Sequence, residues 1–277
     1  MRCSDRAAVD QHAAVTLRAA REFWQLPDDE LDQLLALIRE AGRTELKLVV
    51  PEPAHEAACA TLGVDLARAR LRRVYFLDTE DLALHRHGVV ARVRSIDRKP
   101  DDSVIKLRPV VPADLPPALR RARGFVVEVD GMPGGYVCSG ALKKRLGVAD
   151  VERVVTLGHP LRSLFSKPQL ALLAAYAPRH AGLDGLTVFG PVEVRRRKVT
   201  PAGVDGVLVV QQWRYPDGSR LLELSTRGAA DVALRVAGQA AALLRARGID
   251  LAGAQQTKTR ATLDFFTRLR PGLAEGA

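Results

Sequence analysis

Aromatic residues make up only 5% of this chain of 277 residues, and two of them are tryptophans. Surfaces that bind single-stranded nucleic acid interleave rings with cations, so no such platform is expected. Cysteine is scarce as well. Cys3, Cys59 and Cys138 lie far apart in no metal-ligand spacing, which argues against a disulfide framework or zinc knuckle and reads as reduced thiols. No stretch approaches the roughly 20 apolar residues needed to cross a bilayer. The first residues carry Asp5, Arg6, Asp10, Arg18, Arg21 and Glu22 where a secretory signal would have an apolar core. The expected compartment is therefore the cytoplasm, with no membrane partner. A glycine-rich phosphate loop is missing, and Ser103, Ser139 and Ser163 sit in no nucleophile-elbow pattern.

What is present is apolar and basic. Hydrophobic residues make up 47% of the chain, enough for a sizeable core. The 42 Lys and Arg outnumber the 32 Asp and Glu, for a formal charge of +10. An excess of that size points to an anionic partner or to a merely arginine-rich surface.

The pattern changes along the chain. Residues 1–41 read as helical, with Asp28 as a cap, Leu31, Leu34, Leu35 and Ile38 at helical spacing, and Gly42 as a stop. Strands are expected at 44–50, 71–77, 89–96, 103–110 and 124–130, with a short helix after the first. Residues 138–147 and 162–178 read as helices. A second set of strands follows at 187–199, 206–215 and 219–226; the last two flank a "YPDGSR" turn suited to a hairpin. Residues 229–247 return to helix, 257–263 read as a last strand, and 264–269 as a tail. Hairpin-length connections predict antiparallel pairing.

The strands carry their charges in alternate places. Glu45 and Lys47 share one face of the first, Arg92 and Arg94 of the third, Lys106 and Arg108 of the fourth, and Glu128 and Asp130 of the fifth. In "VEVRRRKV", Arg196 and Lys198 form one row and Glu193, Arg195 and Arg197 the other. Glu223 accompanies Ser225. A sheet with one solvated face shows such alternation. So does a closed barrel whose apolar side lies under helices and whose charged side lines a lumen. The sequence leaves both open.

The order of these segments resembles the CYTH, or triphosphate tunnel metalloenzyme, family. "RTELK" is similar to its opening ExExK strand, with Arg43 in place of the first glutamate. "YFLDTEDLALHRHGVVARVRS", "SVIKLRP", the Glu128–Asp130 strand, the basic strand, "LLELS" and "QTKTR" follow in the family's order over about residues 43–260. Ser225 stands where a second late glutamate is often found. The resemblance implies an α+β fold: a closed antiparallel eight-stranded β-barrel forming a tunnel, with helices outside. Residues 43–270 would form this domain and 1–42 a helical extension. It further implies a triphosphate gripped by Arg92, Arg94, Lys106, Arg108, Arg196, Lys198 and Lys258. Mg²⁺ or Mn²⁺ would be held by Glu45, Glu128, Asp130 and Glu223, with Glu45 and Lys47 at the catalytic centre. Guanidinium and ammonium groups suit phosphate oxygens, and carboxylates suit hard cations.

The function expected is a phosphohydrolase acting on inorganic, thiamine or nucleoside triphosphate. The alternatives are an adenylate cyclase of the same family and a non-catalytic polyphosphate or nucleotide binder. His85 and His87 lack a third ligand and read as surface residues. The "RRRK" run at 195–198, without rings beside it, argues weakly for nucleic acid.

Overall fold

The computed structural model describes residues 27–41, 43–251 and 257–269. Helix α1 (Asp28–Ala41) leads into strand β1 (Thr44–Val50) and helix α2 (His55–Thr61). Strand β2 (Arg70–Asp78), the single turn α3 (Ala83–Arg86), β3 (Val89–Ile96) and β4 (Asp102–Leu107) follow. After α4 (Pro117–Arg120) come β5 (Phe125–Met132), β6 (Gly135–Arg145), α5 (Asp150–Leu157) and α6 (Lys167–Tyr176). The chain ends in β7 (Thr187–Val199), β8 (Leu208–Arg214), β9 (Arg220–Gly228), α7 (Ala230–Arg245) and α8 (Lys258–Arg268).

The strands close into one barrel in the order β1-β5-β6-β4-β3-β2-β7-β8-β9. The expected barrel is therefore found with two corrections. It has nine strands, not eight, and it is mixed, because β1 runs parallel to β5 with Glu45 opposite Asp130 while pairing antiparallel with β9. The extra strand is β6, in the stretch 138–147 expected to be helical. "ALKKR" is made of good helix formers, but β6 is hydrogen-bonded to β5 on one side and β4 on the other, and sheet pairing overrides so weak a propensity. Gly140 marks the spot: a Cβ there would come within 2.3 Å of the Phe125 ring.

The second misreading is at 257–263, which is the start of helix α8 rather than a strand. The Thr257 side chain accepts from Arg260 N–H as its cap, and Thr262, Leu263 and Phe265 are its buried residues. Helices α4 and α5 were not anticipated. Gly42 and residues 1–26 lie outside the described residues.

Helices cover the outside. The alternate residues Tyr75, Leu77, Ala91, Val93, Ile105 and Leu107 face α5 and α6 in one apolar cluster. Leu48, Val50, Val210, Leu222 and Leu224 lie under α2 and α7 in a second. Leu34 and Ile38 of α1 pack on Leu46, Val129 and Cys138 in a third. Because neighbours in a strand point oppositely, the charged rows are driven to the inner side.

Two buried polar groups pin helices to this wall. The Asp78 carboxylate accepts from the backbone N–H groups of Thr79, Leu84 and His85, at 2.8–2.9 Å. Gln169 completes a capping box with Ser166 at the start of α6 and donates to the Ser103 and Leu142 carbonyls at 3.2 and 3.1 Å. Removing one partner of a buried hydrogen bond strands the other. Gln169→Leu is expected to lower unfolding stability by about 2–3 kcal/mol, against about 1 kcal/mol for Ser166→Ala, both read from urea midpoints.

Candidate active site

The barrel encloses a cavity of about 630 Å³ lined by charged side chains from every strand of the wall except β8, which contributes Val209, Gln211 and Trp213. Along the strands the inner row changes character in one direction. On β2 it runs Arg72, Val74, Phe76, and on β3, antiparallel to it, Val90, Arg92, Arg94. On β7 it runs Val192, Val194, Arg196, Lys198, and on β9 Leu221, Glu223, Ser225, Arg227. One end of the lumen is thus apolar and the other charged.

The charged part has two unlike walls. Where β1 meets β5, acids and bases neutralise one another. Asp130, 3% exposed, accepts from Lys47 Nζ at 2.5 Å and Lys106 Nζ at 2.6 Å. Lys47 also lies 3.3 Å from Glu45. Arg227 bridges Glu45 and Glu128 at 3.1 and 2.6 Å. Glu223, fully buried, takes Lys258 at 2.5 Å and Gln211 at 3.3 Å. Against the cost of burial, Lys47 and then Lys258 hold the Glu45 carboxyl down at about 2, and Lys47 and Lys106 hold Asp130 far below the usual carboxylate range. Glu128 shifts the other way, pushed up by burial and by Glu45.

The opposite wall, on β2, β3 and β7, is short of acids. Arg72, Arg92, Arg94, Arg196 and Lys198 all line it; Asp102 faces them and is clasped by Arg94 at 2.7 and 2.5 Å. The Nε groups of Arg72 and Arg92 are buried without an acceptor. Burial, with Arg94 beside it, brings both guanidiniums down to about 10.

The structure brings Glu45, Lys47, Arg92, Arg94, Lys106, Arg108, Glu128, Arg196, Lys198, Glu223 and Lys258 around this one cavity, with Asp130 bonded to two of them. The row of 193–198 that faces inward is Val194, Arg196 and Lys198. Arg195 points out and donates to the Leu66 and Ala67 carbonyls at 3.2 Å. Lys258 arrives on the first turn of α8 rather than on a strand. Arg43 is exposed and lies off the cavity. Among the described residues, three carboxylates can share one cation: Glu45, Glu128 and Asp130, each offering an oxygen within 4.8 Å of the others. Glu223 stands apart from that set, and neither His85 nor His87 belongs to it.

Sequence reasoning missed Arg72, Asp102, Lys143 and Arg227 as lining residues. Arg72 stands two places before Val74 in a strand already recognised, and Asp102 lies opposite Arg94; period two would have found both. Lys143 was hidden in a segment read as helix, and Arg227 lay one residue past the expected end of β9.

No protein-family model and no curated protein matches the chain. Solved structures do. A candidate adenylate cyclase from Bacillus halodurans superposes with a TM-score of 0.53 at 14% identity, over 79% of this chain and 98% of its own. A candidate adenylyl cyclase from Hippeastrum, described as having a dominant triphosphatase activity, gives 0.56 at 17% identity, over 80% and 95%. At such identities the likeness is one of fold. The chain is a closed barrel with outer helices of the kind these proteins have, and the CYTH resemblance of its sequence is matched in three dimensions. No described helix is long and apolar enough to cross a membrane.

Lys106 gives the site a pH signature. Burial, and then the charges of Lys47 and Arg108, bring it down to about 8 against the pull of Asp130. Its ordinary value is 10.5, so the unfolded chain holds more protons between those limits. This group's contribution to stability therefore rises with pH from about 8 to 10.5. In the folded protein its charge is lost around pH 8, so affinity for an anion should fall as pH climbs through that value. Titrating tripolyphosphate affinity by calorimetry should show that inflection, and Lys106→Met should remove it.

Proposed function

We propose that this chain is a CYTH-type phosphohydrolase acting on a triphosphate drawn into the barrel. The observation that carries the reading is the arginine wall: Arg72, Arg92, Arg94 and Arg196 line one enclosed cavity facing the single carboxylate of Asp102. Clustered like charges in a low-dielectric interior are costly unless an anion joins them. Phosphate oxygens fit the guanidinium fork. The fold shared with a protein of dominant triphosphatase activity agrees.

Across the cavity, Glu45, Glu128 and Asp130 form an oxygen-donor set that suits Mg²⁺ or Mn²⁺. A cation held there would supply Lewis-acid polarisation of phosphate oxygens and activation of water. The chain's own residues do the rest. Arg92 and Arg196 orient the phosphates and offset charge on the leaving group, while Lys47 and Lys106, anchored by Asp130, present ammonium groups toward the acidic set. No protein nucleophile is required. The reading carries a cytoplasmic setting with it.

One observation favours a second reading. All four inner carboxylates of this wall already hold a lysine or arginine, as suits a binder that takes a polyanion without metal. Phosphate release from tripolyphosphate, thiamine triphosphate and ATP, with Mg²⁺ or Mn²⁺, separates the two. Turnover on at least one is expected, and Arg92→Gln should cut kcat/KM about a hundredfold. Tight tripolyphosphate binding that is indifferent to metal, with no turnover, selects the binder. Cyclic AMP and pyrophosphate from ATP, in place of ADP and phosphate, would instead mark a cyclase.

A further inference from the structure

The three carboxylates that can share a cation already carry one of the chain's own. Arg227 lies opposite Glu45 where β9 pairs with β1, one residue from the end of its strand. Its guanidinium takes Glu128 in a fork: Nε lies 2.6 Å from one carboxylate oxygen, and Nη2 donates to the other at 3.0 Å. The same Nη2 donates to Glu45 at 3.1 Å. Two carboxylates of the three are thus spanned by one planar cation, in the forked geometry at which arginine excels. A divalent ion brought to those oxygens would meet the guanidinium at close range, and like charges at that separation repel strongly.

The other cations of this wall are placed differently. Lys47 and Lys106 hold Asp130 with side chains 8% and 21% exposed, and Lys258 holds Glu223 outside the set, whereas the Arg227 side chain is 46% exposed. Arg227 can therefore leave its acids for water or for another anion without being stripped of solvent first. It also stands within the field of the arginine wall: Arg196, brought down by burial and then by Arg94, feels the charge of Arg227 as well. A polyanion drawn to that wall pulls on Arg227 too, away from Glu45 and Glu128. We infer that Arg227 is a resident counter-cation: in the empty barrel it holds the acid set in place of a divalent ion, and it gives up Glu45 and Glu128 when a polyanion arrives. Arg227 and the metal then exclude one another, and anion binding opens the metal site. The inference rests on the metal and phosphate reading above. It makes Arg227 a determinant of when metal binds rather than a catalytic residue, and by linkage metal and anion strengthen each other's binding.

Titrating the full chain with Mn²⁺ in phosphate-free chloride buffer, read from the loss of the free-ion paramagnetic resonance signal, tests this without turnover. Arg227→Gln removes the charge at a half-exposed position and leaves the apolar core untouched. It is expected to tighten Mn²⁺ at least about tenfold, because a unit charge is lifted from the carboxylates that take the ion. Lys143→Gln controls for charge alone. Lys143 lines the same cavity from β6, while the cations paired with Glu45, Glu128 and Asp130 are Lys47, Lys106 and Arg227. Its removal is expected to change Mn²⁺ affinity less than about threefold. If Arg227→Gln stays within about threefold of the wild type, or Lys143→Gln tightens Mn²⁺ as much, the inference is overturned. Sulfate, a weak ligand for Mn²⁺, probes the exchange itself at an ionic strength matched with chloride. It should tighten Mn²⁺ about threefold or more in the wild type and not in Arg227→Gln. No sulfate effect on the wild type, or an equal effect on both proteins, overturns the exchange. Calorimetry with tripolyphosphate alone keeps the two levels apart. Where it binds and Arg227→Gln changes nothing, only the present inference falls; where neither tripolyphosphate nor Mn²⁺ binds any of the three proteins, the phosphate reading falls and takes the inference with it.

Discussion

The Asp130 carboxylate, clamped between Lys47 and Lys106, is the interaction on which the rest depends. It lies at the seam where β1 runs parallel to β5, with Glu45 directly across. This pairing closes the barrel. A buried ion pair gives little net stability. What it does here is hold two ammonium groups and an acid in fixed positions beside Glu45 and Glu128. Breaking it from one side would leave an uncompensated charge at a cost of about 3–5 kcal/mol, so the seam and the site stand or fall together.

From that seam the two walls of the lumen take opposite characters. Near β1, β5 and β9 each acid already has a basic partner. Near β2, β3 and β7 guanidiniums accumulate around Asp102 alone. The helices make this possible. Because α2, α5, α6 and α7 cover the aliphatic residues, every second side chain is forced inward, whatever its charge. The same alternation that builds the core outside the barrel builds an electrostatic cavity inside it.

Much of this was legible in the strands. "ELK", "ARVR", "IKLR" and "VEVD" show the two-residue period plainly, and their order pointed to the barrel. The two failures have one cause. The segments 138–147 and 257–263 are short, and their local preferences oppose what their neighbours require. "ALKKR" prefers a helix but is trapped between β4 and β5. "TKTRATL" alternates like a strand, yet Thr257 caps a helix there. What single-chain periodicity could not convey was which charges would meet. The Arg227 bridge to Glu45 and Glu128 joins residues remote in sequence, and only the register of β1 with β9 and β5 brings them together.

The excess of guanidinium on one wall has a consequence for the empty protein. Arg72, Arg92, Arg94 and Arg196 repel one another across the cavity, and only the Asp102 carboxylate, held by Arg94, offsets them. The apo barrel is therefore folded under electrostatic tension, and any anion small enough to enter relieves it. Mass action then links occupancy to folding. Phosphate-rich buffer should behave as a folding agent for this chain, and the same molecule studied in a chloride-only, low-salt medium should prove noticeably softer.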